Sequence, residues 1–211
     1  MQFLTEIEAR VLGSLIEKDI TTPDYYPLSL NALVNACNQK NNRDPVMSLD
    51  ESAVRDALST LQEKRLAGPA SGADSRVTKY EHRLEQFNFS RREIAVLCIL
   101  MLRGPQTPGE LRGRTERMYR FEDLDQVQSA LQQLMQREPA LVAMLPRQPG
   151  TKESRFAHLL AGPVESVIIP LPGVAREDTG RMAQLEEQVR ELLAEIAELK
   201  QQFATFRKQF E

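Results

Sequence analysis

Apolar positions along the chain repeat in a fixed order. Glu8-x-x-Val11-Leu12-x-x-Leu15 recurs as Glu93-x-x-Val96-Leu97-x-x-Leu100, 85 positions on. Val54-x-x-Ala57-Leu58-x-x-Leu61 recurs as Val127-x-x-Ala130-Leu131-x-x-Leu134, 73 positions on. Lys79-Tyr80-x-His82-x-Leu84 is echoed by Arg155-Phe156-x-His158-x-Leu160, 76 positions on. Spacing of i, i+3, i+4 and i+7 puts apolar side chains on one face of a helix. Three landmarks in the same order describe two copies of one unit. The fall from 85 to 73 makes the second copy 12 residues shorter between its first helix and its third.

Each copy is expected to open with a helix, over about 6–18 and 91–103. A second helix follows over about 29–37 and 108–115, and a third over about 50–64 and 123–137. Helix starts are marked by boxes in which a hydroxyl caps the third amide and a glutamate reaches back. Thr5-Glu-Ile-Glu8, Ser48-Leu-Asp-Glu51, Ser90-Arg-Arg-Glu93 and Thr107-Pro-Gly-Glu110 all fit. Pro108 falls at the first helical position, where a missing N–H costs nothing. Thr22-Pro23 aligns with Thr107-Pro108 at the offset of the first helix, which leaves open an earlier start for the second helix of copy one.

After each third helix the pattern becomes strand, turn, strand: 66–71 and 76–84 in copy one, 141–145 and 154–160 in copy two. Tyr26-Pro27-Leu28 and Gln106-Thr107 are candidates for a third, edge strand. Three helices and a two-stranded ribbon is the winged-helix order. The expected class is mainly α with small β wings (α+β): winged-helix domain 1 over 1–87, winged-helix domain 2 over 88–162, a Pro/Gly linker over 163–180 and a coiled-coil-type helix over 181–211.

In that last segment Met182, Val189, Ile196, Phe203 and Phe210 take heptad position a, and Leu185, Leu192, Leu199 and Phe206 take d. The seam predicts a homodimer through Leu185, Val189, Leu192, Ile196, Leu199, Phe203 and Phe206, with Glu195 reaching Lys200, and Arg181 reaching Glu186, across chains. A single helix docked on its own globular body is the alternative.

Composition narrows the function. The chain has 211 residues, 41% hydrophobic and 27% charged, which is ordinary globular composition. No apolar run approaches the ~18–20 residues that span a bilayer. The N-terminus has Glu6 before any basic residue and no apolar core, so no signal peptide, a cytoplasmic location and no membrane partner are expected. Cys37 and Cys98 lie far apart without a CxxC spacing and read as reduced, structural thiols. Net charge is −3, but residues 88–175 carry 11 Lys+Arg against 9 Asp+Glu while 1–87 carry 10 against 13. The middle third alone is basic.

Specific motifs overlay this frame. They are Asn35-Ala-Cys-Asn-Gln-Lys40, then Asn42-Arg43-x-Pro45-Val46-Met47 and Arg76-Val-Thr-Lys-Tyr80. In the second copy they are Leu102-Arg-Gly-x-Gln-Thr-Pro-Gly-Glu-Leu-Arg112, Met118-Tyr119, Phe121 and Ser154-Arg155. On these the chain resembles the bacterial YceH-like family over nearly its whole length. The resemblance implies a tandem winged-helix protein of bacterial cytoplasm with a helical tail. It transfers a fold and no catalytic residues.

No phosphate loop, dinucleotide fingerprint, HExxH or GxSxG occurs, so no enzyme, catalytic residue or cofactor is expected. His82 and His158, the two histidines, fall at equivalent places in the ribbons and away from any Cys pair; no metal is expected.

Duplex DNA is the expected partner, mainly through copy two, and transcriptional regulation is one role such binding would serve. Its third helix offers Gln126, Gln128, Ser129, Gln132, Gln133 and Gln136, and glutamine pairs with an adenine edge by two hydrogen bonds. Arg112, Arg114, Arg117 and Arg120 precede that helix as a phosphate clamp, and Arg147, Lys152 and Arg155 lie on the wing. In copy one the candidates are Lys40, Arg43, Arg76 and Lys79, beside an acidic third helix with Glu51, Asp56 and Glu63. The run Asn38–Arg43 suits either a backbone contact or the tying of a long loop. The alternative is a non-catalytic scaffold that docks a protein partner through its winged helices and its tail.

Overall fold

A computed structural model describes residues 3–70, 77–147 and 153–162. The described residues form six α-helices and small antiparallel sheets, an α+β arrangement. The first half runs α1 (Glu6–Thr21), β1 (Leu28–Ser29), α2 (Leu30–Cys37), α3 (Glu51–Glu63), β2 (Ala67–Pro69) and β3 (Lys79–His82). After a 3₁₀ turn at Glu85–Phe87, the second half runs α4 (Arg91–Arg103), α5 (Pro108–Arg114), α6 (Leu124–Gln136), β4 (Val142–Met144) and β5 (Phe156–His158).

The repeat survives in register. In the first half β1 pairs with β3 and β3 with β2, with Leu28 opposite Tyr80. In the second, β4 pairs with β5, and a single bridge from Gln106 to Phe156 stands where β1 would. The edge strand expected there is thus reduced to one residue pair. Helix α2 starts at Leu30 and α5 at Pro108, 78 positions on. So 7 of the 12 lost residues lie before the second helix and 5 after it. The extra segment in the first half holds a 3₁₀ turn at Pro23–Tyr25, so Thr22-Pro23 opens that turn and not α2.

Helix starts follow their caps. Full capping boxes stand at Thr5/Glu8, Ser90/Glu93 and Thr107/Glu110. The box expected at Ser48 does not form. Asn38 holds Leu49 from both sides, its Nδ2 donating to Leu49 O and its Oδ1 accepting from Leu49 N, each at 2.7 Å. The chain therefore stays extended until Asp50, whose carboxylate caps Ala53 N. At the end of α4, Gly104 has φ +67° and its N–H closes on Leu100 O.

The two halves share one core. Helix α1 packs against α2, α3 and α4, and every residue from Glu8 to Glu17 is buried. At the α1–α4 crossing, Gly13 carbonyl accepts from Cys98 Sγ at 3.3 Å. A Cβ on Gly13 would lie 2.9 Å from Leu102 Cδ2, so a side chain there would require Leu102 to move.

Because α1 is enclosed, its charges need partners. Glu17 pairs with Arg43 at 2.7 Å, and Arg43 also donates to Ala36 O and Asn42 O. Arg10 donates to Cys37 O and Pro45 O. The box glutamates do double duty: Glu8 meets Lys64 at 2.7 Å, and Glu93 meets Arg137 at 2.9 Å. Lys64 and Arg137 are the C-caps of α3 and α6, so the same clamp ties the first helix to the third in both halves.

These contacts set the pH response. Burial alone would raise the Glu17 carboxyl, but the hydrogen bonds and charge of Arg43 outweigh it and hold it below 4.5. Burial is likewise outweighed at Glu8 by Lys64 and at Glu93 by Arg137. A depressed carboxyl stabilises the fold fully above its unfolded value and loses that contribution as pH falls through the folded one. At His158 the shielded Nδ1 has no hydrogen-bond partner among the described residues, and burial lowers the ring from 6.5 to about 4. The fold therefore keeps this ring neutral where the unfolded chain would charge it, and stability drops as pH falls from 6.5 towards 4.

Two outcomes are expected in urea unfolding. Arg43→Ala takes the bidentate partner from Glu17, leaving it Lys18 at 3.4 Å, and costs up to about 3–5 kcal/mol, whereas Arg55→Ala, which breaks the exposed pair with Glu51, costs less than about 1 kcal/mol. His158→Phe flattens stability between pH 6.5 and about 4 but leaves the loss below pH 4.5 from the carboxyls.

Candidate nucleic-acid interface

The turn from α5 to α6 is built on an aromatic pair. Tyr119 and Phe121 meet edge to face at 4.9 Å, and Phe121 is buried. Arg92 of α4 lies over the Tyr119 ring and donates to its hydroxyl at 2.8 Å. Thr115 turns its hydroxyl back to Leu111 O and is fully buried. This anchoring sends the intervening Arg117 and Arg120 outward, where both are exposed and have no side-chain partner among the described residues.

The other two arginines expected in the clamp, Arg112 and Arg114, and Arg155 expected on the wing have partners within the second half. Arg112 donates to Phe121 O and Glu122 O and so joins α5 to the start of α6. Arg114 stands 3.6 Å from Glu110. Arg155 donates to Glu110 and to Pro105 O, both at 2.8 Å, which bolts β5 to the base of α5. The Glu110 carboxyl, which burial would raise, is held below its usual value by Thr107 N–H and by Arg155.

Beside these lies an open cleft of about 670 Å³ between α6, the start of α5 and the β4–β5 ribbon. Gln128 and Gln132 line one wall, and Arg147 and Glu153 lie on the ribbon side. Three of the expected contact residues, Gln128, Gln132 and Arg147, thus share one surface. Gln136 also lines the cleft, Ser129 and Gln133 are exposed, and Gln126 turns to Glu122 at 3.2 Å.

The cleft also has features that the glutamine pattern did not reveal. Leu124, Met135, Met144 and Phe156 give it an apolar floor, with Leu124 40% and Met144 59% exposed. Glu122, Asp123 and Asp125 surround the N-terminus of α6, where acids suit the helix dipole. The run Leu141–Leu145 is apolar without alternation, so nothing in it marked Met144 as exposed. The floor itself depends on tertiary packing.

In the first half Arg43 is corrected. It is 4% exposed and paired with Glu17, so it cannot reach a phosphate. Together with Asn38, and with Gln39, which accepts from Lys18, it ties the loop after α2 to α1 and α3. Lys40 and Lys79 are exposed without a side-chain partner among the described residues. Ala32 stands in α2 where Glu110 stands in α5, which leaves Lys79 without the carboxylate that holds Arg155. Arg76 and Lys152 lie outside the described residues, as do the linker over 163–180 and the heptad segment over 181–211.

Both cysteines are buried, and burial raises their thiols. His82 stands 3.2 Å from Asp19. Among the described residues no group of three or more His, Cys, Asp or Glu side chains is placed to hold a metal, and no helix is long and apolar enough to cross a membrane.

Residues 4–151 match the family described as a protein of unknown function, DUF480. A UPF0502 protein of Koribacter versatilis is 61% identical over 189 residues, 87% of each chain. One of Solibacter usitatus is 54% identical over 212 residues, 99% of this chain and 98% of its own. One of Vibrio vulnificus is 50% identical over 209 residues, covering 93% and 95%.

The split between free and committed arginines is measurable as stability. Arg155→Ala, which leaves the half-buried Glu110 short of its partner, is expected to lower unfolding free energy by about 1–3 kcal/mol. Arg117→Ala and Arg120→Ala are expected to stay within about 0.5 kcal/mol.

Proposed function

The chain belongs to the DUF480 family, the UPF0502 group of uncharacterised bacterial proteins, and from its own geometry we propose that it is a cytoplasmic DNA-binding protein made of two winged-helix units. In this reading α6 is the helix presented to the major groove and the β4–β5 ribbon is its wing. The observation that carries it is the shared surface of Gln128, Gln132 and Arg147, with Arg117 and Arg120 free on the turn leading into α6. Glutamines supply base-edge contacts, and the arginines supply phosphate contacts. The clamp is smaller than the arginine count suggests, because Arg112 and Arg155 hold the second half together. A role in transcriptional regulation follows if the sites lie at promoters.

A second reading, a protein-docking scaffold, is favoured by a different observation. Helix α6 carries no Lys or Arg, acids surround its start, and the cleft floor is apolar and rich in methionine. Protein interfaces are depleted of charge at their centre and enriched in methionine and aromatic side chains.

Anisotropy of a labelled duplex with the full-length protein at several salt concentrations separates the two. The DNA reading expects log affinity to fall linearly with log salt, and Arg117→Ala with Arg120→Ala to reduce that slope by about 2. No binding at the lowest salt removes the DNA reading in favour of docking.

The heptad seam from Met182 to Phe210 adds the proposal that two copies pair through residues 181–211. Light scattering of the full chain is expected to give twice the 24.0 kDa chain mass; the mass of one chain ends that proposal.

A further inference from the structure

Where the two halves meet, a second cavity lies away from the α6 cleft. It has a volume of about 240 Å³ and is bounded by Leu12 of α1, Leu66 and Leu84 of the first half, Leu97 and Met101 of α4, and Leu141 before β4. Phe87 and Phe89, stacked at 5.8 Å on the segment joining the halves, form one side. Arg137, Glu138 and Pro139 stand at the rim.

The lining shows what such a space would accept. None of the buried polar atoms lacking a hydrogen-bond partner among the described residues belongs to it. Its one basic group is already satisfied. Arg137 donates to Glu93, Phe87 O and Asn88 O, and its guanidinium stacks on Phe89 at 4.3 Å. An anionic or strongly polar ligand would lose its hydration against these apolar walls, and the one carboxylate of the lining, Glu138, lies exposed at the rim.

We infer that this cavity is a binding site for a compact, neutral, apolar small molecule, aromatic by preference. Size sets the class: an apolar cavity of about 150 Å³ holds benzene, so this one suits about ten non-hydrogen atoms. The aromatic preference comes from the Phe87–Phe89 stack and the Met101 thioether, which offer ring and sulfur contacts to a flat ligand. The lining draws on both halves, so an occupant stiffens the joint between them.

Indole serves as the probe, with the full-length protein labelled at Leu and Met methyls. Titration is expected to give saturable NMR shifts confined to Leu12, Leu66, Leu84, Leu97, Met101, Leu141 and Leu160, and intermolecular NOEs from the indole ring to these methyls. Leu160→Phe, which fills the cavity from its half-buried edge, is expected to weaken binding at least tenfold. Absence of saturation and of NOEs up to the solubility limit overturns the proposal, as does unchanged binding by a folded Leu160→Phe protein. If that variant does not fold, the wild-type NOEs decide alone. Sodium benzoate provides the charge control: binding as tight as that of indole would refute the neutral character of the site.

Discussion

Enclosure of α1 is the constraint from which the rest of the structure follows. A helix packed by three others has no wet side, yet α1 carries Glu8, Arg10 and Glu17 within its buried stretch. Each must be neutralised in place, since an unpaired buried charge costs several kcal/mol. Arg43 therefore comes in from the loop after α2, Lys64 from the end of α3, and the carbonyls of Cys37 and Pro45 turn towards Arg10. The long loop of the first half is shaped by this demand. Its polar run looks like a contact surface but holds the interior together.

The same economy governs the second half with different residues. Glu93 and Arg137 reproduce the clamp of Glu8 and Lys64, and Arg155 adds a bolt from the ribbon to α5. The candidate binding face is what these duties leave over: Arg117, Arg120, Arg147 and the glutamines of α6. Free cations, and not cations in total, define the electrostatic footprint of such a face.

Much of the fold could be read from residue order because local signals agreed with one another. The capping boxes at Thr5, Ser90 and Thr107 fix helix starts to the residue, and the 85 and 73 offsets match the starts of α1 and α4 and of α3 and α6. Ser48 misled because the Asn38–Leu49 bonds, 11 residues apart in sequence, keep its segment extended. The site was less legible. Arg112, Arg155 and Arg43 look the same on paper as Arg117 and Arg120, and only their distant partners, Glu122 O, Glu110 and Glu17, separate them.

Gly13 and Cys98 are the same position in the two copies, 85 residues apart, and they touch. Like meeting like is the signature of a two-fold dimer. Two such helices on separate chains would meet only above some threshold concentration. Carried on one chain, the two helices meet intramolecularly, and the encounter does not depend on dilution. Carriage on one chain also leaves each half free to differ: the first is tied together through Arg43, while the second leaves Arg117 and Arg120 exposed.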